Sequence, residues 1–314
     1  MKALVTGGAG FIGSNVVALL LADGHEVVVL DDISSGYEEN IRPDTEFVRG
    51  DVSAPGVVRG AAAQCDVIFH LAASVGNTRS IDNPVRDSEI NVIGTLRVLE
   101  AARTHGIRRV VFSSSAGIFG ELKTLPIAED HPTDPDSPYG ASKLAAEKMC
   151  LVYNKLYGMK NVCLRYFNVY GVRQRYDAYG NVIPIFAERM LRHMDVVIFG
   201  DGEQTRDFVH VSDVARANYL AGTSEKAAGA FNLGSATRIS INELARVMAE
   251  AIGGPVNIVH GSPRPGDVRD SLAAVDAAGR AFGFKPSMDL DLGLREYLTW
   301  LRDDAVTLAR WAAQ

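Results

Sequence analysis

Short, almost continuously apolar runs alternate with helical stretches through the first half of the chain. Lys2–Thr6 (KALVT) reads as a strand, Ser14–Ala22 as a helix stopped by Gly24, and His25–Leu30 (HEVVVL) as a second strand. Val67–Leu71 and Arg109–Ser113 read as further strands. Between them, Ser88–His105 carries helical spacing and stops at Gly106. A Pro-rich loop from Pro126 to Pro138 leads into a helix over Tyr139–Tyr157 and then a strand over Val162–Arg165. Continuous apolar strands separated by helices predict a parallel sheet covered on both faces. Repeated βα units with right-handed crossovers predict a doubly wound α/β fold.

Beyond about residue 166 the rhythm breaks. Gly, Tyr, Arg and Pro dominate 170–184, a helix is expected near Pro184–His193, and FGDGEQTRD (199–207) reads as loop. Ser240-Ile-Asn-Glu243 forms a capping box for a helix ending at Gly253-Gly254. Gly261–Gly266 (GSPRPG) reads as loop, and a last amphipathic helix covers Leu292–Leu301. At about 150 residues per domain, 314 residues suggest two, with the second half holding a substrate.

Composition narrows the class. With 32 basic against 38 acidic residues and no basic stripe, nucleic-acid binding is not expected. VVALLLA (16–22) falls short of the roughly 18 apolar residues of a membrane span. No secretory signal is apparent, and Cys65, Cys150 and Cys163 form no CxxC pair, as in a reduced cytoplasmic protein. No metal site is expected.

Gly7-Gly8-Ala9-Gly10-Phe11-Ile12-Gly13 directly follows the first strand and opens a helix. Such a loop lets bare backbone approach a pyrophosphate, whose charge meets N–H groups at the helix N-terminus. Taken alone, it also fits a tight turn. Asp31 ends the second strand 18 residues after Gly13, where a carboxylate accepts bonds from a ribose diol and repels a 2′-phosphate. NAD is therefore expected rather than NADP. Asp51-Val52 is a candidate for the adenine ring, or simply a helix start.

Tyr139-Gly-Ala-Ser-Lys143 places a phenol and an ammonium four apart on one helix face. A phenol titrates near 10. A neighbouring cation favours the phenolate, which would let Tyr139 take a proton from a sugar hydroxyl. A Tyr lying over a Lys stem on the surface has the same spacing. Ser113-Ser114-Ser115 ends a strand on the ligand-binding side of such sheets, so one of its hydroxyls is a partner for the reacting oxygen.

GGAGFIGS (7–14), HLAA (70–73), SSS (113–115), YGASK (139–143), LRYFNVYG (164–171), RDFVHVSDVA (206–215) and RPGD (264–267) occur in one order. On these motifs the chain resembles the extended short-chain dehydrogenase/reductase superfamily, and within it the nucleotide-sugar 4-epimerases. The resemblance implies that Gly7, Gly10, Phe11, Ile12 and Gly13 hold the NAD pyrophosphate, Asp31 the ribose, and Asp51 with Val52 the adenine. It implies that Leu71, Ala72, Ala73 and Asn91 also line the cofactor. Tyr139 is the implied base, Lys143 holds the nicotinamide ribose and lowers the Tyr139 pKa, and Ser115 is the hydroxyl partner. The implied reaction is a reversible oxidation at C4 of a UDP-sugar through a 4-keto intermediate, with NAD regenerated in each turnover. Asn168, Asn181, Arg206, Arg264 and Asp267 match positions that hold the nucleotide sugar, the two arginines suiting a diphosphate.

Two features narrow the substrate. Related 4,6-dehydratases carry an Asp-Glu pair where Ala116-Gly117 stand here, so the acid/base pair for dehydration is missing. The same two residues lack the groups of related uronate enzymes. Ser271 stands at a gatekeeper position where a Tyr would exclude an N-acetyl group, so UDP-N-acetylhexosamines are expected beside UDP-glucose and UDP-galactose. The rival readings are a non-catalytic NAD-binding regulator and a net oxidoreductase on the same fold. By the same resemblance, helices 88–105 and 139–157 form a homodimer interface, and a strand near 230–233 rejoins the first sheet.

Overall fold

The computed structural model describes residues 1–176, 181–263 and 268–313. Six strands form its centre: β1 (Lys2–Thr6), β2 (Glu26–Asp31), β3 (Glu46–Arg49), β4 (Val67–His70), β5 (Val110–Ser115) and β6 (Val162–Tyr166). A later strand, Gly229–Leu233, completes a seven-stranded sheet in the order Gly229–Leu233, β6, β5, β4, β1, β2, β3. Every neighbouring pair is parallel, with Lys2↔Glu26 to Thr6↔Leu30 setting the first register.

Alternation along the strands sends side chains to two faces. Ala3 and Val5 pack with Val16, Val17 and Leu20 of the Phe11–Ala22 helix and with Val211 and Val214 of the Val211–Thr223 helix. Leu4 faces the other way, onto Val98 and Leu99 of the Thr95–His105 helix and Ala146 and Cys150 of the Pro138–Tyr157 helix. Each such buried aliphatic side chain contributes about 1.5–3 kcal/mol of transfer free energy. A third cluster, with Ile183, Phe186, Leu244, Met248, Leu294 and Leu298, lies entirely beyond residue 166. The three cysteines are free and buried.

The helix expected over 88–105 is broken into three pieces. Pro84–Ser88 is α-helical, Glu89–Gly94 widens to a π-turn, and Thr95–His105 resumes the α-helix. Two side chains explain the widening. Thr95 Oγ1 donates to the Asn91 carbonyl at 2.6 Å, and Asn91 is drawn inward by bonds to Ser74, Asp87 and Ser142. Such single π-turns mark functional sites more often than chance. Strand β3 and the parallel pair Val196–Phe199 with Ile258–Gly261 are further elements that the hydrophobic pattern did not reveal.

β1 lies between β2 and β4, so the chain winds outward in opposite directions on its two sides. The crevice outside the carboxyl ends of such a pair is where ligands enter a doubly wound sheet. Among the described residues, no helix is long and apolar enough to cross a membrane.

Candidate active site

The glycine loop joins β1 to the Phe11–Ala22 helix. Gly7 has φ +70°, and a Cβ there would meet the Ala72 nitrogen at 2.6 Å. A Cβ on Gly13 would stand 2.0 Å from the Gly7 carbonyl oxygen. The loop is therefore closed on itself and on Leu71-Ala72, whose N–H groups donate to the Thr6 carbonyl and hydroxyl. Gly10 caps the helix, and no side chain caps its first turn. The N–H groups of Phe11, Ile12 and Gly13 are thus free of side-chain competition, the condition a pyrophosphate requires.

Asp31 is buried at the end of β2. It accepts from the Ala9 N–H at 3.0 Å and the Ile33 N–H at 2.8 Å, tying loop to strand while keeping lone pairs for a ligand. Burial raises its pKa and those two bonds oppose the rise. Asp51 accepts from Arg86 Nη2 at 2.6 Å and from the Ser53 N–H and hydroxyl. Its pKa is lowered, burial being outweighed by the Arg86 and Ser53 bonds. Val52 is buried against Gly94. A closed glycine loop, an uncapped helix start and a strand-end carboxylate suit a dinucleotide such as NAD.

Ser113 to Ser115 end β5 at the same edge of the sheet, and Ser137 caps the helix that carries Tyr139, accepting from the Gly140 N–H at 3.1 Å. A Cβ on Gly140 would lie 2.4 Å from the Gly117 carbonyl oxygen, so the helix start sits directly on the Ala116–Ile118 turn. That approach brings Ser115 and Tyr139 together. A Cβ on Gly117 would be 3.3 Å from Ser115 Oγ and 3.7 Å from Tyr139 Cε1. Lys143, buried one turn on, donates to the Ser113 carbonyl at 2.6 Å and lies over the Phe112 ring at 4.7 Å.

The electrostatics depart from expectation in one respect. Tyr139 has its pKa raised, chiefly by burial; the Ser115 bond opposes this and the charge of Asp87 adds to it. The Lys143 ammonium is directed at the Ser113 carbonyl. Burial brings Lys143 itself down to about 8, against the charge of Asp87.

The residues expected to meet the sugar nucleotide converge only in part. Asn168 donates through its backbone and side chain to the Asp207 carbonyl, at 3.2 and 3.1 Å. Arg206 donates to the neighbouring Thr205 carbonyl at 2.9 Å, and the Ser271 N–H donates to the same oxygen at 3.1 Å. The 205–207 segment thus gathers Asn168, Arg206 and Ser271. Asn181 precedes the Val182–Leu191 helix and is exposed. Arg264 and Asp267 lie outside the described residues.

Sequence reasoning missed two buried groups beneath the site. Glu147 forms a buried ion pair with Arg165 at 2.7 Å and accepts from Ser114 Oγ at 2.7 Å. Its signal was available, since Glu147 falls four residues after Lys143 on the same helical face. Asp87 accepts from Ser142 Oγ at 2.5 Å and Asn91 Nδ2 at 3.1 Å. Nothing in the local pattern sets it apart from a solvated helix-start acid.

Comparison with known proteins agrees with this geometry. The family described as NAD dependent epimerase/dehydratase matches residues 3–234. A UDP-glucose 4-epimerase of Mycolicibacterium smegmatis is 40% identical over 311 residues, covering 96% of this chain and 99% of its own. The UDP-glucose 4-epimerase of Thermotoga maritima, solved with UDP-glucose, superposes with TM-score 0.92 at 37% identity, covering 96% of this chain and 99% of that one. A UDP-N-acetylglucosamine 4-epimerase of Methanobrevibacter ruminantium, in complex with UDP-N-acetylmuramic acid, also gives 0.92, at 34% identity, covering 96% and 98%. These relatives match the chain over nearly its whole length and theirs, and the chain belongs to the NAD dependent epimerase/dehydratase family.

Proposed function

We propose that the chain is an NAD-dependent isomerase that inverts C4 of a UDP-hexose, interconverting UDP-glucose and UDP-galactose. The observation that carries this reading is the meeting of Ser115 and Tyr139 over Gly117, in a turn that offers no second acid or base. A dehydratase must remove a proton and water beside the oxidised carbon, and Ala116-Gly117 supply neither group. When bound, NAD accepts and returns the C4 hydride. Tyr139 takes the C4 hydroxyl proton, and the Ser115 hydroxyl favours the phenolate that results. Lys143 has three N–H donors; with Ser113 fixing the head, one remains for a ribose hydroxyl. Gly7, Gly10, Phe11, Ile12 and Gly13 take the pyrophosphate, Asp31 the ribose, and Asp51 and Val52 the adenine, with Leu71, Ala72 and Ala73 closing the wall.

Arg206, Asn168 and Asn181, with Arg264 and Asp267, are assigned to the sugar nucleotide. Ser271, small and buried beside Thr205, leaves room for an N-acetyl group, so UDP-N-acetylhexosamines are included. Two structures of equal TM-score hold different UDP-sugars, so the overall fold leaves the sugar open, and side chains at this end are assigned the choice. Residues 1–165 form the cofactor domain, which Gly229–Leu233 joins, and 166–314 mainly the substrate domain.

Ile81, Val85, Met149, Val152 and Leu156 are exposed on the mutually packed helices Asn77–Asp82, Pro84–Ser88 and Pro138–Tyr157, Val85 at 69% and Leu156 at 67%. Exposed apolar side chains gathered on packed helices suit an interface, and a homodimer is the partner proposed. Light scattering at micromolar concentration checks it, a monomeric mass being the contrary result. Reduced, buried cysteines suit a cytoplasmic enzyme.

The enzymatic reading is tested by mixing purified protein with UDP-glucose and excess NAD while recording absorbance of free NADH. Product formation with no accumulating NADH is expected. Stoichiometric NADH release marks a net oxidoreductase instead.

A further inference from the structure

Asp87 sits at 1% exposure on the Pro84–Ser88 helix, and among the described residues it makes no ion pair. A buried carboxylate with no cation in direct contact is costly, and hydrogen bonds must offset that cost. Those bonds lead to the site. Ser142 Oγ, between Tyr139 and Lys143 in sequence, reaches Asp87 at 2.5 Å and the Tyr139 carbonyl at 3.0 Å. Asn91, from the π-turn, donates to Asp87 and to the Ser74 carbonyl, and accepts from the Ser74 N–H on the loop after β4. One carboxylate therefore joins the start of the Tyr139 helix to the wall of the cofactor crevice.

We propose that Asp87 is a positioning residue whose negative charge, held by Ser142 and Asn91 beneath Tyr139 and Lys143, sets the protonation balance of that pair. The inference rests on Tyr139 and Lys143 having the roles assigned above. Asp87 raises both groups, opposing the phenolate and favouring the ammonium. Other charges nearby are accounted for. Arg86 is engaged with Asp51 and Glu89, and Glu147 with Arg165. His70, behind Lys143, is buried and held neutral, its pKa lowered to about 3. Cys150 and Cys163 face Lys143 from the core side, and burial holds the Cys163 thiol well above its usual value.

The test is the pH profile of kcat/KM for Asp87→Asn, purified with its cofactor. Loss of the charge lowers both Tyr139 and Lys143, so both limbs move toward acid. The ratio of variant to wild-type kcat/KM is then expected to rise by about tenfold from the alkaline to the acid end. Asp87→Glu, which keeps the charge, is expected to hold the wild-type limbs. Should the Asn variant fail to fold, Asp87→Ser, smaller than the residue it replaces, is read in the same way. A folded, cofactor-loaded neutral variant with unmoved limbs overturns the proposal, whatever its kcat. Tyr139→Phe separates the two failures. If it still turns over, the reading of Tyr139 falls; if it is inactive while the neutral variant's limbs stay fixed, only the inference about Asp87 falls.

Discussion

The crevice has two ends built by different means. At the cofactor end, backbone meets backbone: Gly7 against Ala72, Gly13 against Gly7, Gly140 against Gly117. At the sugar end, side chains gather around a short segment, 205–207, held by a two-residue antiparallel pairing with Ile239–Ser240. Backbone contacts admit only glycine, so the first end is rigid and specified by residue type. The second end, assigned above to the sugar nucleotide, is built from side chains, which can differ on the same backbone.

The contrast is broken most severely at Gly13. Gly13→Ala puts a methyl 2.0 Å from the Gly7 carbonyl oxygen, so the loop must open. Loss of retained NAD and of all measurable turnover is expected, read from absorbance after denaturing the purified protein. Retained cofactor in that variant would mean the loop is looser than the fold implies. Tyr139→Phe keeps the packing and removes one hydroxyl. A fall in kcat of about 10³-fold, with NAD still bound, is expected from loss of acid/base catalysis.

At the sugar end the effects are smaller and selective. Ser271→Tyr is expected to cut kcat/KM for UDP-N-acetylglucosamine by about tenfold or more while leaving UDP-glucose within about threefold, the scale of a lost pocket contact. Equal losses on both sugars would remove Ser271 from the specificity argument. The smallest effect concerns Lys143. Its folded pKa, about 8, lies below its ordinary 10.5, chiefly through burial. From pH 8 to 10.5 the unfolded chain therefore holds a proton that the folded chain has released, and stability gains as pH rises through that window. Urea unfolding should show the advantage of Lys143→Met over wild type shrinking between those limits. A constant difference would place the Lys143 pKa elsewhere.

The same contrast explains what the sequence could reveal. Gly7 to Gly13, Asp31 and Tyr139 with Lys143 were legible because each obeys a local rule: turn geometry, strand end, helical spacing. Asn91 appeared in the pattern as one polar residue of a long helix. Its inward turn, and the π-widening it accompanies, depend on Ser74, Asp87 and Ser142, which lie up to 51 residues away. β3 was missed because Glu46–Arg49 is four residues with charges at both ends. The direction of the Tyr139 shift was also beyond local reading, since it comes chiefly from burial, to which the charge of Asp87 on another helix adds. Ser271 was named from its place in a motif, and its neighbour Thr205 belongs to a strand 66 residues earlier, Thr205–Arg206.

The most direct measurement is proton NMR of the purified protein with UDP-glucose and no added NAD. Growth of the UDP-galactose anomeric signal to a steady ratio, with the cofactor still bound afterwards, is the predicted result. Unchanged UDP-glucose in the presence of protein shown to carry NAD would contradict the account.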